Sequence, residues 1–329
     1  MPVLLPLLGL LLAITGATAE SVTFLVSPDT HFTSSGGVPD VAKNARGILS
    51  MNGLPGNAFP ADSQWKGTVE EKIRGVVVPG DLVDDGCNTA PTAPTDPGCA
   101  DQWNNYTYYF RTLPSTASAD GGAAAAAAAQ ACRWPAFEGC GNHDGGNSTD
   151  PKSGLVRRGV IARNRQRAAA KGTAGAANYT TSPNGLHYSW DWGGVHLAML
   201  GVYPGTVGDC AAPGEGSPGN GCCSATGGGI CWGWHSPEHS LEFLVSDLEK
   251  QDKATPIVLF MHYGMAGFGT PGTVPWAGYS PDFWWSTREA RAFAEAIKEY
   301  NVVAIVHGHT HACVFYQWDL SNVTGRVCE

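Results

Sequence analysis

Five short apolar runs in this chain of 329 residues each end in side chains that can bind a metal ion. The residues are aspartate, asparagine and histidine, and they follow the runs in this order: Asp29 and His31, Asp81, Asn142 and His143, His262, and His309 and His311. Imidazole nitrogen combined with carboxylate oxygen suits zinc, iron or manganese, whereas calcium prefers shells of oxygen alone. A single histidine at the end of a strand is usually structural, but five such ends in one chain indicate a shared metal site.

The runs themselves are the elements that must position these residues. Strands are predicted where β-branched and apolar residues are concentrated, at 22–26, 75–78, 136–140, 256–261 and 302–306, with a hairpin at 186–191 and 195–202. Helices are predicted at 40–51, at 101–112, from an N-cap at Ser236 to 250, and from a capping box at 286–289 onward. Strands that alternate with helices indicate an α/β layered fold. Such folds bind ligands at the carboxyl ends of their strands.

The motifs at these strand ends resemble those of the calcineurin-like metallophosphoesterases. They occur in the order of that family and span residues 22 to 317: Asp29-x-His31, Gly80-Asp81-x-x-Asp84, Gly141-Asn142-His143-Asp144, His262 and Gly308-His309-x-His311. The resemblance implies a double β-sheet sandwich flanked by helices, the four-layer fold of the family, with a dinuclear metal site at the strand ends. No tyrosine follows Asp81 in the pattern of the purple acid phosphatases, so that branch is disfavoured.

The resemblance also implies a role for each residue. Carried over by position, the ligands form two sets that share Asp81 as a bridge: Asp29, His31 and His311 for one ion, and Asn142, His262 and His309 for the other. His143 would act as general acid toward the leaving group, and Asp84 would orient its imidazole. Asp144 is either a partner behind the site or a solvated group. Two ions of iron, zinc or manganese would hold the phosphate while a bridging hydroxide attacks phosphorus in line.

The expected activity is therefore hydrolysis of a small phosphate ester, with monoesters and diesters both open. A phospholipid or sphingolipid phosphodiesterase is an alternative, suggested by the aromatic segment 263–285 that follows His262. A secreted module that binds metal without turnover is a third interpretation. A basic segment at 157–171 could contact phosphate, but a solvated surface is the favoured interpretation: Arg157, Arg158, Arg163, Arg165, Arg167 and Lys171.

Composition indicates an exported protein. Residues 1–19 hold an apolar core and end in Ala17-Thr18-Ala19, which is the layout of a secretory signal peptide, so residues 20–329 are predicted to form a single catalytic domain. No later apolar run reaches the roughly 18 residues of a membrane span. The net charge of −9 argues against a surface that binds nucleic acid. Neither the oligomeric state nor the completeness of the C-terminus, which lies shortly after His311, is fixed by the sequence.

The cysteines and the sequons fit the same compartment. All ten cysteines follow the signal segment, which favours disulfides, and their spacing suggests three pairs: Cys87 with Cys99, Cys132 with Cys140, and Cys313 with Cys328. Four sequons predict a glycoprotein: Asn105, Asn147, Asn178 and Asn322.

Overall fold

A computed structural model describes the chain at residues 12–14, 21–33, 39–59, 67–70, 72–84, 97–112, 131–144, 154–170, 175–206, 237–264, 287–311, 314–318 and 323–327. Within these residues the protein is a mixed α/β structure with five helices and two main sheets. One sheet has four strands in the order β1-β2-β3-β4, and the other has five in the order β5-β6-β7-β8-β9. A separate two-stranded ribbon, β10-β11, follows the last predicted motif.

The strands are β1 (Leu12–Ile14), β2 (Val22–Val26), β3 (Ile73–Pro79), β4 (Ala136–Gly139), β5 (Ala177–Thr181), β6 (Tyr188–Trp192), β7 (Val195–Met199), β8 (Ile257–Phe260), β9 (Val302–Val306), β10 (Val314–Trp318) and β11 (Val323–Val327). The helices are α1 (Pro39–Asn52), α2 (Pro97–Tyr109), α3 (Leu155–Ala169), α4 (Ser240–Leu248) and α5 (Thr287–Ile297). The predicted strands at 22–26 and 302–306 and the predicted helix at 40–51 are confirmed to within a residue. The first strand, β1, lies inside the predicted signal segment and pairs with β2.

Parallel pairing brings the strand ends that carry the candidate ligands to one edge of each sheet. In the first sheet β2, β3 and β4 are parallel, and in the second β7, β8 and β9 are parallel. The carboxyl ends of parallel strands meet at the same edge. The residues that follow β2, β3 and β4 are therefore neighbours, as are those that follow β8 and β9.

The central strands have continuous apolar sequences because both of their faces are buried. Along β3, Val76 and Val78 pack toward helices α1, α2 and α3, whereas Val77 belongs to a cluster that includes side chains of both sheets. Along β8 the same alternation holds, with Leu259 packed toward α4 and α5 and Phe260 in the shared cluster. Alternate residues of one strand thus serve two different cores.

Aromatic side chains fill the shared cluster between the sheets. Phe137 of the first sheet stacks on Trp190 of the second with ring centroids 4.8 Å apart. Phe24 meets Trp192 at 5.9 Å and Phe260 at 5.8 Å. Such ring pairs add about 0.5–1.5 kcal/mol each to the free energy of burial. The contacts fix the two ligand-bearing edges relative to one another.

Helix α3 carries the basic segment, and two of its arginines point into the protein rather than toward solvent. Glu138 on β4 is fully buried and receives Nε of Arg163 at 2.7 Å and a guanidinium nitrogen of Arg167 at 2.5 Å. Burial opposes ionisation, but the two arginines hold the pKa of Glu138 at about 2. The prediction of a solvated basic surface is therefore wrong for Arg163 and Arg167. These residues anchor strand β4, which leads into the loop that carries Asn142.

A second buried charge network lies in the five-stranded sheet, at the start of β7. Nδ1 of His196 lies 2.7 Å from Oδ1 of Asp191, and Nε2 lies 2.8 Å from Oδ2 of Asp247. Ser189 donates to the other oxygen of Asp247 at 2.9 Å. Burial lowers the pKa of His196, but the two aspartates outweigh it and raise the pKa to about 9. His196 is thus a buried residue of the core.

Two local predictions are wrong. Helix α4 begins at Ser240 rather than after Ser236, because Glu238 and His239 have left-handed backbone angles, with φ of 50° and 63°, that cannot belong to a first helical turn. Cys132 and Cys140 are free thiols, because strand β4 runs between them and, at about 3.3 Å per residue, holds their ends apart. Cys87, Cys313 and Cys328 lie outside the described residues.

No helix in the described ranges is long and apolar enough to cross a membrane.

Candidate metal centre

The loops after β2 and β3 are held side by side by backbone hydrogen bonds that continue beyond the strands. The amide of Asp29 donates to the carbonyl of Gly80 at 3.2 Å, and the amide of His31 donates to that of Asp81 at 3.0 Å. Five candidate ligands have left-handed backbone angles: Asp29, His31, Asp81, His309 and His311. A non-glycine residue in this region carries strain, and such strain gathers at functional sites.

The first group of converging ligand atoms consists of Asp29, His31, Asp81 and His311, whose atoms lie within 4.8 Å of one another. Nε2 of His31 is 3.1 Å from Nε2 of His311 and 3.5 Å from Oδ2 of Asp81. Nε2 of His311 is 3.6 Å from Oδ1 of Asp29. Ligand atoms 2.0–2.2 Å from one ion lie about 2.8–3.6 Å from each other, so these separations fit a single coordination shell.

The second group consists of Asp81, His262 and His309, and Asn142 joins it by contact. Nε2 of His262 lies 3.0 Å from Oδ2 of Asp81 and 2.9 Å from Oδ1 of Asn142. Nδ1 of His262 faces the carbonyl of Pro79 at 3.1 Å. A proton held on Nδ1 leaves the lone pair of Nε2 available to bind a metal ion. All seven predicted ligands therefore lie at one site.

Asp81 belongs to both groups, and its two oxygens have different surroundings. Oδ1 accepts the backbone N–H of His143 at 2.9 Å. Oδ2 is the atom that faces His31 in the first group and His262 in the second. Although it is buried and close to both imidazoles, Oδ2 has no partner in hydrogen-bonding geometry. A buried anionic oxygen without such a partner needs a cation nearby, and without a metal ion that cation is protonated His262, 3.0 Å away.

The charges of the site also fit cations. Burial raises the pKa of Asp29, and the neighbouring charge of Asp81 adds to the rise. Burial lowers the pKa of His31, and burial together with His262 lowers that of His309 to about 3, so both imidazoles are neutral at pH 7. Neutral imidazole is the form that binds metal. Burial opposes the charge on His262, but Asp81 raises its pKa to about 9, and a bound cation would displace that proton.

Glycines allow the ligand loops to approach closely. Gly308 precedes His309, and a Cβ there would lie 2.5 Å from Oδ2 of Asp29. Gly80 precedes Asp81 with φ of 98°, and a Cβ there would lie 2.5 Å from Nδ1 of His262. Both distances are shorter than any real Cβ contact. The glycines in the predicted motifs are therefore required by packing around the ligands.

His143 and Asp84 meet in a way that the sequence does not indicate. Nδ1 of His143 is hydrogen-bonded to the backbone carbonyl of Asp84, not to its carboxylate. The carboxylate Oδ1 of Asp84 lies 3.4 Å from Nδ1 of His31 instead. Ligating histidines commonly donate their second ring N–H to a carboxylate, which orients the ring and strengthens the ligand. The carboxylate of Asp84 thus faces His31, a ligand of the first group, and its backbone carbonyl contacts His143.

Asp144 is the residue near the site whose position sequence reasoning left open. It is fully buried and accepts hydrogen bonds from three backbone amides. Burial and the charge on Asp81 raise its pKa to about 7, against the effect of those three N–H donors. The only signal in the sequence is its place next to His143. Of the aromatic segment 263–285, only Tyr263 and Gly264 are described, and Tyr263 is buried beside His309 with ring centroids 4.6 Å apart.

Comparison with known proteins identifies no relative: no family model, curated protein or solved structure matches the chain.

Proposed function

We propose that this chain is a dinuclear metal-dependent phosphoesterase of the calcineurin-like metallophosphoesterase family, with the double β-sandwich fold of that family. The observation that carries the proposal is the position of Asp81, whose Oδ2 faces His31 on one side and His262 on the other. A carboxylate that faces two groups of ligands could bridge the two ions of a paired metal centre. The order of the five motifs supports the same family.

Two bound metal ions would neutralise the charge on a phosphoryl group and lower the pKa of an attacking water. One ion would be held by Asp29, His31 and His311. The other ion would be held by Asn142, His262 and His309, and Asp81 would contact both ions. Asn142 contributes a neutral oxygen, so the centre keeps positive charge for an anionic substrate. Iron, zinc and manganese all accept this mixture of nitrogen and oxygen ligands.

His143 is the proposed general acid. Its Nδ1 is held by the carbonyl of Asp84, which fixes the ring and leaves Nε2 to exchange a proton with the leaving-group oxygen. Its ring centroid lies 4.7 Å from that of His31, so the imidazole stands beside the first group of ligands. His143 is only partly buried, which keeps the ring within reach of a substrate.

Asp84 is proposed to orient His31 through its carboxylate and His143 through its carbonyl. One residue would then set the direction of a metal ligand and of the proton donor.

Export from the cytosol is part of the proposal and rests on the apolar leader and the ten cysteines. The alternative, hydrolysis of a phospholipid or sphingolipid, rests on the aromatic segment, most of which lies outside the described residues. This alternative is tested by including lipid substrates in the assay.

The experiment is a substrate screen of the protein loaded in turn with Mn²⁺, Zn²⁺ and Fe²⁺. Matched aryl phosphate monoesters and diesters are tested first, then vesicles that contain sphingomyelin or phosphatidylcholine. The proposal predicts metal-dependent hydrolysis of at least one class, and loss of both bound metal and activity in Asp81→Ala. Metal binding without hydrolysis of any ester would instead support the binding module. If the protein neither binds metal nor hydrolyses any ester, the metal centre itself is rejected.

A further inference from the structure

The carboxylate of Asp144 joins two loops that approach from different strands. Its Oδ1 accepts the amide of Leu82 at 2.9 Å and that of Val83 at 3.1 Å, both in the loop after β3, and the Leu82 amide also lies 3.1 Å from Oδ2. Its Oδ2 accepts the amide of Gly141 at 2.8 Å, in the loop after β4. The side chain is fully buried, and a buried carboxylate that accepts several N–H bonds is held firmly in one orientation.

The two loops carry the centre of the proposed metal site. The loop after β3 provides Asp81, and the loop after β4 provides Asn142 and His143. Strand pairing between β3 and β4 ends at Pro79 and Gly139, so no ladder hydrogen bond aligns the residues beyond. The hydrogen bonds of Asp144 continue the alignment across that gap.

The alignment decides which oxygen of Asp81 is available to a metal ion. With the loops in register, the amide of His143 reaches Oδ1 of Asp81 at 2.9 Å. That bond leaves Oδ2 facing both ligand groups. The loops are so close that a Cβ on Gly141 would lie 3.0 Å from Cγ of Asp81 and still nearer to its Oδ1. A small separation of the loops would therefore free the carboxylate to rotate.

We propose that Asp144 is a positioning residue that keeps Asp81 in its bridging orientation by holding the loop of Gly141 against the loop of Leu82. The metal-binding part of the inference rests on the proposed function, but the alignment of the loops does not. A carboxylate that only stabilised the fold would not determine how the second ion binds.

The variant Asp144→Asn tests this role at nearly constant volume. An amide has one accepting oxygen, so its NH₂ group must face the N–H donor of Gly141 or those of Leu82 and Val83, and the hydrogen bonds that hold the two loops in register cannot all be kept. Asp247→Asn is the matched control, because Asp247 is also buried and accepts hydrogen bonds from two residues, Ser189 and His196. Both variants are expected to lower thermal stability.

Two measurements separate positioning from stability. The first is hydrogen exchange of the His143 amide in dialysed protein, since that amide contacts Asp81 and not Asp144. The second is Mn²⁺ binding followed by electron paramagnetic resonance, which distinguishes a coupled pair of ions from isolated ones. Asp144→Asn is expected to lose protection at His143, to bind the second ion about 10–100-fold more weakly, and to lose the coupled spectrum. Asp247→Asn should match the wild type in both measurements.

The inference is overturned if Asp144→Asn keeps wild-type protection at His143 and wild-type affinity for both ions. It is also overturned if Asp247→Asn shows the same losses, because the effect would then be general destabilisation. If the wild-type protein itself binds no metal pair, the proposed function fails, and exchange at His143 still decides the alignment of the loops.

Discussion

Gly308→Ala is expected to disable the first ligand group through a single added methyl group. A Cβ at this position would lie 2.5 Å from Oδ2 of Asp29 and 2.9 Å from Cβ of Pro28. Ordinary contact begins at 3.4 Å, so the carboxylate would have to move by about 0.9 Å. It cannot simply rotate away, because its Oδ1 accepts the amide of His309 at 2.7 Å. Gly308 itself does not have a left-handed backbone angle, so the effect comes from these contacts and not from backbone strain at the substituted residue.

The magnitude follows from the displacement. A shift of about 1 Å in a catalytic constellation costs on the order of 100-fold in rate. That factor corresponds to about 2.7 kcal/mol in the activation barrier. The assay is hydrolysis of the preferred aryl phosphate ester by metal-loaded protein, at a temperature well below the unfolding transition, with Mn²⁺ affinity measured in parallel. We expect both kcat and affinity to fall.

Gly53→Ala is the matched control. A Cβ on Gly53 would meet only the carbonyl oxygens of Leu49 and Ser50, each at 3.6 Å, which is ordinary contact. Its activity and metal affinity should equal those of the wild type. Wild-type kcat and two tightly bound ions in Gly308→Ala would refute the reasoning, since the Asp29 carboxylate would then not be a ligand held in place by this packing.

Three further perturbations are expected to have distinct effects. His143→Asn should lower kcat by about 10²–10⁴-fold while two ions stay bound, and an unchanged kcat would remove His143 from the chemistry. Asp84→Asn should weaken metal binding by about 10–100-fold, because its carboxylate faces His31, whereas its carbonyl contact to His143 persists; unaltered affinity in a metal titration would contradict this role. The pKa of His196 is raised from 6.5 to about 9, so its protonated form stabilises the fold fully below pH 6.5, and that contribution is lost as pH rises through about 9. Urea unfolding should show a fall in the free energy of unfolding across this window that is about 3 kcal/mol larger in the wild type than in His196→Gln, and parallel pH profiles for the two proteins would count against it.

The sequence predicted the ligand-bearing strands well because their pattern has a simple physical cause. Strands buried on both faces need apolar residues at every position, as in the run Val76-Val77-Val78 of β3, and no other element requires so short a continuous run. Parallel strands then carry whatever follows them to one edge. The meeting of the ligands at one edge of each sheet could be anticipated from strand type, whereas their joining into one set of seven was implied by the family resemblance.

Helix α3 could not be anticipated in the same way. Its arginines resemble a solvated surface in sequence, and the partner that turns two of them inward, Glu138, lies 25 residues before Arg163 on another element. Nothing local to the helix indicates that partner. The same limit applies to Cys132 and Cys140, whose short spacing suggested a bond that the intervening strand prevents.

The contacts of Asp84 and Asp144 depend on loop backbones with uncommon angles. Asp81 has φ of 50°, and in the same loop the carboxylate of Asp84 faces His31. Such a turn cannot be derived from residue type, because non-glycine residues seldom adopt it. The motif therefore predicted that these residues lie near the site, and the structure supplied which atoms meet.

The most direct test of a paired metal centre is the number of ions bound per chain. Dialysed protein is titrated with Mn²⁺ by calorimetry, the bound metal is measured by elemental analysis, and folding is checked by circular dichroism. The geometry predicts two ions per chain in the wild type and loss of both high-affinity sites in Asp81→Ala, because Asp81 belongs to both ligand groups. A folded wild-type chain that binds no ion or only one, or two tightly bound ions in Asp81→Ala, would contradict the account.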